Sequence, residues 1–257
     1  MSTTTEIFTK VLDTGYVEPA IETDAAAFED VVRSRRTVRV FNDETIPEDV
    51  MRRCLDLALL APNSSNLQPW EFYWVRDEPK KSTLADFCLG QPAAKTAREL
   101  VVCVARLDTW KRNRTIMLEQ LESDQVMPAA AISYYRKLVP LAYGQGPFYL
   151  LGPVKKVLVA LAGLFKPTPR GPASYADMRV WAHKSTALAC ENLMLALRAY
   201  GFDSCPMEGI DESRVKQLLN LPRRAEVCMV ISAGKRAPNG VYGKQLRFDK
   251  SMFVFEV

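Results

Sequence analysis

Several of the patterns that announce a chemistry outright are absent from this chain. Its six cysteines stand at 54, 88, 103, 190, 205 and 228, no two closer than fifteen residues, so neither a CxxC redox pair nor a zinc knuckle is written here. Cys54, Cys103 and Cys190 lie inside apolar runs and read as reduced core residues. His183 is the single histidine, and with no nucleophile elbow near it a Ser-His-Asp hydrolase has nothing to be built from. Gly144-Gln145-Gly146 runs into Pro147-Phe148-Tyr149, so no GxGxxG turn is completed, and Walker and HExxH patterns are missing as well. Charge of one sign is also lacking: 34 basic against 30 acidic residues leave +4, too little and too dispersed for a nucleic-acid binder. No clean apolar run spans a bilayer, because Pro153, Lys155 and Lys156 interrupt the apolar stretch 148–165. That stretch reads as an amphipathic lid, with a patch touching a membrane surface as the alternative. The start, Met1-Ser2-Thr3-Thr4-Thr5-Glu6, has no basic residue leading into an apolar segment, so no secretory signal is visible and the cytoplasm is the expected compartment.

What is present is ample core material, 48% apolar over 257 residues. Residues 1–27 are polar and unperiodic and read as an N-terminal arm. Phe28 to Arg33 is a short helix. Thr45-Ile46-Pro47-Glu48-Asp49 places a hydroxyl, a first-turn proline and acids against the dipole, predicting a helix with Val50, Cys54, Leu57, Ala58 and Ala61 on one side. Trp70 to Val75 alternates as a strand, Leu100 to Ala105 is a buried strand, and a helix from about Pro79 to Cys88 joins them. Arg179 to Tyr200 is helical and apolar nearly all round, which demands burial in a large core or against a second subunit. Gly201 stops it, Phe202 to Ile210 reads as a loop, Asp211 opens a short helix, and Val227 to Ala233 is a third strand. The tail from Gly240 to Val257 reads as extended, with alternation at Met252-Phe253-Val254-Phe255. Trp70, Trp74 and Trp181 read as core, while Trp110 beside a basic run reads as exposed. Helices dominate over few strands, so the class is α+β.

Three segments carry the chemistry. Ser34-Arg35-Arg36-Thr37-Val38-Arg39 offers forked guanidinium donors suited to an oxyanion; the bland alternative is a solvated surface cluster. Pro62-Asn63-Ser64-Ser65-Asn66-Leu67-Gln68-Pro69-Trp70 is bracketed by prolines and made of turn residues with side-chain donors and acceptors, so it is a loop able to face a polar heterocycle or sugar chain. Gln68 there has a structural reading, satisfying loop backbone. Pro206-Met207-Glu208-Gly209 places a glycine after an acid beyond a proline, a turn whose backbone N–H groups point outward together. Glu208 has the rival reading of a helix cap, for which Asp211 is better placed.

In that order, over residues 28–105 and 174–257, the chain resembles the nitroreductase family of flavoproteins. The resemblance implies a nitroreductase-like fold, a small, mostly antiparallel central sheet flanked by helices, in a domain-interlocked homodimer. Residues 28–257 would form one flavin-binding domain, with an inserted variable segment at about 106–173. It also implies tightly bound FMN at the subunit interface, NADH or NADPH as reductant, and a small-molecule electron acceptor such as a nitroaromatic or quinone. Hydride would pass to flavin N5 and on to the acceptor in the same space, with ping-pong kinetics and no protein proton donor. By position in the motifs, Arg35, Arg36, Thr37 and Arg39 would hold the phosphate and ribityl chain, Arg39 reaching towards the pyrimidine side of the ring. Pro62, Asn63, Ser64, Ser65 and Asn66 would come from the partner subunit. In the turn Pro206-Met207-Glu208-Gly209, the N–H groups of Glu208 and Gly209 would meet flavin N5 and the neighbouring carbonyl. Gln91 is a further candidate, and Arg247 with Gln245 would close on the phosphate. Where the family often has a basic residue at the position of Gln245, Lys244 next door is the substitute. Tyr134, Tyr135, Phe148 and Tyr149 are candidate walls of the acceptor site. Two rival functions remain at this stage, a flavin-binding sensor or storage protein without turnover, and a membrane- or partner-binding module using 148–165.

Overall fold

The structure, a computed structural model, describes residues 6–11, 15–123, 128–146 and 150–257. Four strands, β1 (Trp70–Trp74), β2 (Glu99–Arg106), β3 (Asp203–Met207) and β4 (Ala225–Gly234), form one antiparallel sheet in the order β1-β2-β4-β3. The two central strands are β2 and β4, and every residue from Leu100 to Ala105 is buried, as a continuous apolar run requires when both faces of a sheet are covered.

The period of two along a strand sorts these residues into two cores. On one face Val101, Cys103, Met229 and Ile231 pack under α3 (Glu48–Leu59) and α10 (Tyr175–Ala199) through Met51, Cys54, Cys190, Leu193 and Leu197. On the other, Leu100, Val102, Val104 and Val230 meet Leu84 of α4 (Glu78–Phe87) and Val215 of α11 (Glu212–Leu218). The register of β2 on β4 shifts between Cys103 and Val104. Helix α10 starts earlier than its apolar pattern suggests because a capping box precedes it: Ser174 Oγ accepts from Asp177 N at 3.3 Å, and Asp177 Oδ2 accepts from Ser174 N at 2.8 Å. Its one solvent strip holds Val180, Lys184, Leu188 and Glu191.

The remaining helices are α1 (Glu6–Thr9), α2 (Ala25–Ser34), α5 (Pro92–Lys95), α6 (Trp110–Ser123), α7 (Ala129–Ser133), α8 (Val139–Tyr143) and α9 (Leu151–Ala162). Helix α2 is capped by Asp24, whose side chain accepts from Ala27 N at 3.0 Å, so it begins inside the expected arm. The stretch 106–173 supplies α6 to α9, and a π turn (Tyr134–Leu138) joins α7 to α8. Its inner side forms a third cluster with Trp110, Tyr135, Tyr143 and Trp181. No helix among the described residues is long and apolar enough to cross a membrane.

Four expectations are corrected. Residues 203–207 form strand β3 rather than loop: Pro206 disfavours a strand, but it lies on a sheet edge where no ladder donor is required of it. Trp110 is buried, its ring 6.3 Å from that of Tyr143, with Lys111 Nζ 5.6 Å above it. Leu57 lies on the outer side of α3, and Met51 takes the inward position. The tail, read as extended to its end, instead folds into a 3-10 turn at Lys250–Met252 before its last residues, and it is exposed from Tyr242 onward, since an alternating segment needs an edge to pair with.

Candidate functional site

The arginine turn is held against the edge of the sheet. Thr37 makes a parallel bridge to Ser204 of β3, with Val38 N donating to Ser204 O at 3.1 Å. Beneath it a buried carboxylate, Asp203, accepts from Arg198 Nη1 at 3.2 Å and from Arg236 Nη2 at 2.6 Å. Arg198 Nε also donates to Ser34 Oγ at 3.0 Å, tying the end of α2 to α10. The tail closes from the other side: Arg39 N donates to Gly240 O at 2.7 Å and Arg36 Nη2 to Gly243 O at 2.6 Å. A Cβ on Gly240 would sit 2.6 Å from Val40 O and 2.9 Å from Ala237 O, so only glycine lets the tail approach this closely.

These contacts leave a cleft of about 170 Å³ between Arg35, Arg36 and Thr37 on one side and Lys244, Gln245 and Arg247 on the other. Among the described residues no carboxylate lines it, and Glu191 reaches Arg35 only at 3.8 Å. Cationic forks and a hydroxyl around a space of this size suit a phosphate monoester. Lys244 and Gln245 both line the cleft, so the structure does not choose between them.

From Ser204 the chain runs along β3 to Met207 and turns. Glu208 and Gly209 are exposed, and neither N–H has an acceptor among the described residues. Gln91 Nε2 donates to Gly209 O at 3.0 Å. Leu89 (φ 58°) and Gly90 (φ 62°) are successive left-handed residues that turn the chain between α4 and α5 and direct Gln91 at that carbonyl. Asp211, not Glu208, caps α11, accepting from Arg214 N at 3.1 Å. Arg39 lies close enough to Cys205 to offset part of the upward push that burial gives that thiol. One edge of the sheet thus gathers Arg35, Arg36, Thr37, Arg39, Gln91, the Pro206–Gly209 turn and the basic tail.

Pro62, Asn63, Ser64, Ser65 and Asn66 belong to a different constellation. Asn63 organises the loop: its Oδ1 accepts from Gln68 N at 2.8 Å and its carbonyl from Asn66 N at 3.2 Å. Ser65, Asn66 and Gln68 have φ of 59°, 45° and 44°, a conformation that side chains other than glycine resist and that neighbouring contacts must hold. The inserted segment supplies them. Ser65 Oγ lies 2.5 Å from Tyr134 OH and 3.0 Å from Tyr143 OH, Ser64 Oγ lies 3.0 Å from Tyr143 OH, and Tyr135 OH donates to Ser65 O at 2.7 Å. Burial raises the pKa of Tyr134 and pushes that of Tyr135 up to about 12, so both remain neutral hydroxyls at ordinary pH. Of the four aromatic walls expected, Tyr134 and Tyr135 reach this loop, and Phe148 and Tyr149 lie outside the described residues. Tyr143 was not singled out from the sequence, and nothing local to it signals its contact with Ser64.

His183 has a structural partner. Glu226 accepts from His183 Nε2 at 2.9 Å, from Arg179 Nε at 2.7 Å and from Tyr175 OH at 3.2 Å. Among the described residues no group of three or more potential ligands forms a metal site.

Comparison with known proteins places this architecture. A family model described as the nitroreductase family matches residues 32–235. A protein of Thermus thermophilus named NADH dehydrogenase is 27% identical over 232 residues, 90% of this chain and 95% of its own. Among solved structures, the nitroreductase-type protein ydfN of Bacillus subtilis superposes with a TM-score of 0.73 at 22% identity, covering 91% of this chain and 100% of its own. An FMN complex of a nitroreductase-type protein from Exiguobacterium sibiricum gives 0.67 at 22% identity, covering 93% and 99%. With its small antiparallel sheet, its flanking helices and a family match over most of its length, this chain belongs to the nitroreductase family and is an oxidoreductase of that type.

Proposed function

We propose that the protein is a cytoplasmic homodimeric oxidoreductase that binds FMN, takes hydride from NADH or NADPH and reduces a nitroaromatic, a quinone or a similarly electron-poor acceptor. The observation that carries this reading is the convergence, on one sheet edge, of a cationic cleft that no carboxylate among the described residues lines and a turn whose two N–H groups have no acceptor among them. FMN, when bound, would supply the two-electron carrier between nicotinamide and acceptor.

Arg35, Arg36, Lys244 or Gln245, and Arg247 hold the phosphate, with the Thr37 hydroxyl beside them. Arg39, exposed and without an ion-pair partner among the described residues, neutralises negative charge on the pyrimidine side. The N–H groups of Glu208 and Gly209 orient the ring, and Gln91 fixes that turn through the Gly209 carbonyl. Pro62 to Asn66 reach the site from the partner subunit, which is why within one chain they lie with the inserted segment instead of the arginine turn. Exposed apolar residues support pairing of two chains: Leu60 on the α3 end, Val180 and Leu188 on α10, and Phe253, Val254 and Phe255 in the tail. The single domain 28–257, with 106–173 as its inserted acceptor-side segment, completes the reading. Reductant and acceptor occupy the same space in turn, so the kinetics are ping-pong.

Purified protein should be yellow and should be bleached anaerobically by NADH or NADPH. Arg36→Ala should weaken FMN binding about 10- to 100-fold, the loss of one charge-assisted contact. Protein that stays colourless after FMN is added refutes the proposal. A flavin spectrum that neither nicotinamide bleaches selects a binding protein without turnover.

A further inference from the structure

A cavity of about 560 Å³ opens between the Ser64–Ser65 loop and α9, a volume within the range that takes a drug-sized ligand, roughly 300–1,000 Å³. Its two ends differ in chemistry. At one end stand the hydroxyls of Ser64, Ser65, Tyr134 and Tyr143, already paired with each other at 2.5–3.0 Å. Away from them the walls are Leu138, Leu141, Leu158, Val159 and Ala162. The ammonium of Lys155 also borders the space, but it donates to the carbonyls of Ala142 at 2.7 Å, Gly144 at 3.0 Å and Pro172 at 3.4 Å. Arg170 is likewise turned to backbone, donating to Val159 O at 3.3 Å. Arg170 donates to Gly163 O as well, at 3.5 Å, and Thr168 is the other polar side chain in the lining, so along Leu138, Leu141, Leu158, Val159 and Ala162 the wall is hydrocarbon and favours an apolar occupant.

We infer that the acceptor of this enzyme carries an extended apolar chain, and that the cavity under α9 houses that chain while the reducible head lies at the Ser64–Ser65 end. The assignment rests on the proposed function, in which that loop faces the flavin of the other subunit. It names a substrate class, an amphipathic quinone or enone with an alkyl or isoprenoid-like tail, and it explains the size of the cavity: a single-ring acceptor at the loop would leave most of it unfilled. The redox step is unchanged. One NAD(P)H and one proton are consumed for each quinone reduced to quinol, and the tail contributes only binding.

The test is a series of benzoquinones with one common head and alkyl tails of increasing length, from none to about ten carbons, each kept below its micelle concentration. On holoenzyme with saturating NADH, kcat/KM should rise roughly fourfold for each of the first methylenes buried and then level off. Ala162→Trp, which fills the cavity from its α9 wall, should remove the gain for the long-tailed quinone and leave the tailless one and the flavin spectrum unchanged. Leu141→Trp serves the same purpose should the first variant misfold. Isothermal titration of the protein with the long-tailed quinone gives a readout independent of turnover: binding with a negative heat-capacity change, weakened tenfold or more in either variant. Equal kcat/KM across the series, or a gain that persists in both variants, overturns the inference, and so does titration without binding. A gain that appears only with phospholipid vesicles present, and survives both substitutions, assigns the apolar surface of α9 to a membrane and likewise overturns it. Failure of the flavin reading shows separately, as a colourless protein or one inactive on the tailless quinone.

Discussion

Substituting Glu226 by glutamine tests how the sheet is fastened to α10. The carboxylate is nearly buried and holds three donors, from Tyr175, Arg179 and His183. A hydrogen bond to a charged group contributes roughly 1.5–3 kcal/mol. The Arg179 side chain is 53% exposed, however, and ion pairs in such settings are worth only about 0–1 kcal/mol. Glutamine keeps the shape and one acceptor, so the expected loss is about 2–3 kcal/mol at about pH 5.5, most of it from His183. Both the Cys228 sulfur and the Glu226 carboxylate raise the His183 pKa above its ordinary 6.5, against the burial of the ring. Since Cys190 and burial hold the Cys228 thiol protonated, the sulfur is a weak partner and the carboxylate is the one that matters for charge. The contribution of His183 is complete below 6.5 and is lost as pH rises through its elevated folded value. The pKa of Glu226 is lowered from 4.5, burial opposing the pull of Arg179 and His183, so its contribution is complete above 4.5 and is lost as pH falls through the lowered value. The gap between wild type and Glu226→Gln should be widest between these two pH values and narrower at about pH 9, where the Arg179 share persists. Urea denaturation at about pH 5.5 and about pH 9 measures it. A gap below about 0.5 kcal/mol at the lower pH, within the range of ordinary surface substitutions, or one equal at both, refutes the reasoning.

Gly240→Ala should cost about 1–3 kcal/mol, because its new carbon meets two backbone carbonyls and must lift the tail off Arg39. A thermal shift and a weaker FMN titration would register this together, and an unchanged melting temperature would contradict it. Leu193→Ala, at a fully buried position under the sheet, should lose about 2–5 kcal/mol by chemical denaturation. Tyr143→Phe removes the hydroxyl shared by Ser64 and Ser65 and should cost about 0.5–1.5 kcal/mol; a stability unchanged from wild type would show that this hydroxyl carries no net energy.

The parts of the fold that are legible in the sequence are those whose patterning is local. The buried run of β2, the alternation of β1, the proline and acids opening α3 and the glycine after α10 each declare themselves. What is not legible depends on neighbours. Strand β3 carries a proline and an aspartate, both poor strand formers, and it exists because β4 offers an edge and Arg198 and Arg236 satisfy Asp203. The approach of Tyr143 to the Ser64–Ser65 loop is hidden in another way. Tyr134 and Tyr143 are nine residues apart, about two and a half turns of regular helix and therefore opposite faces. The π turn between them changes the phase, so both hydroxyls reach Ser65. The polar residues of the cationic cleft are all readable as candidates; that the tail and the arginine turn meet, and that Gly240 is what allows it, is a fact of three dimensions.

The rim of any sheet is an invitation to strangers, since its unpaired groups will accept whatever extended chain arrives. Here the place beside Ser204 is taken by Thr37 of the same molecule, with the Val38 amide bonded into it. The few bonds that aim the guanidiniums therefore also guard against filament-like self-association. A substitution that frees this segment from β3 would bring both failures at once, so pale preparations of such a variant should also be the turbid ones.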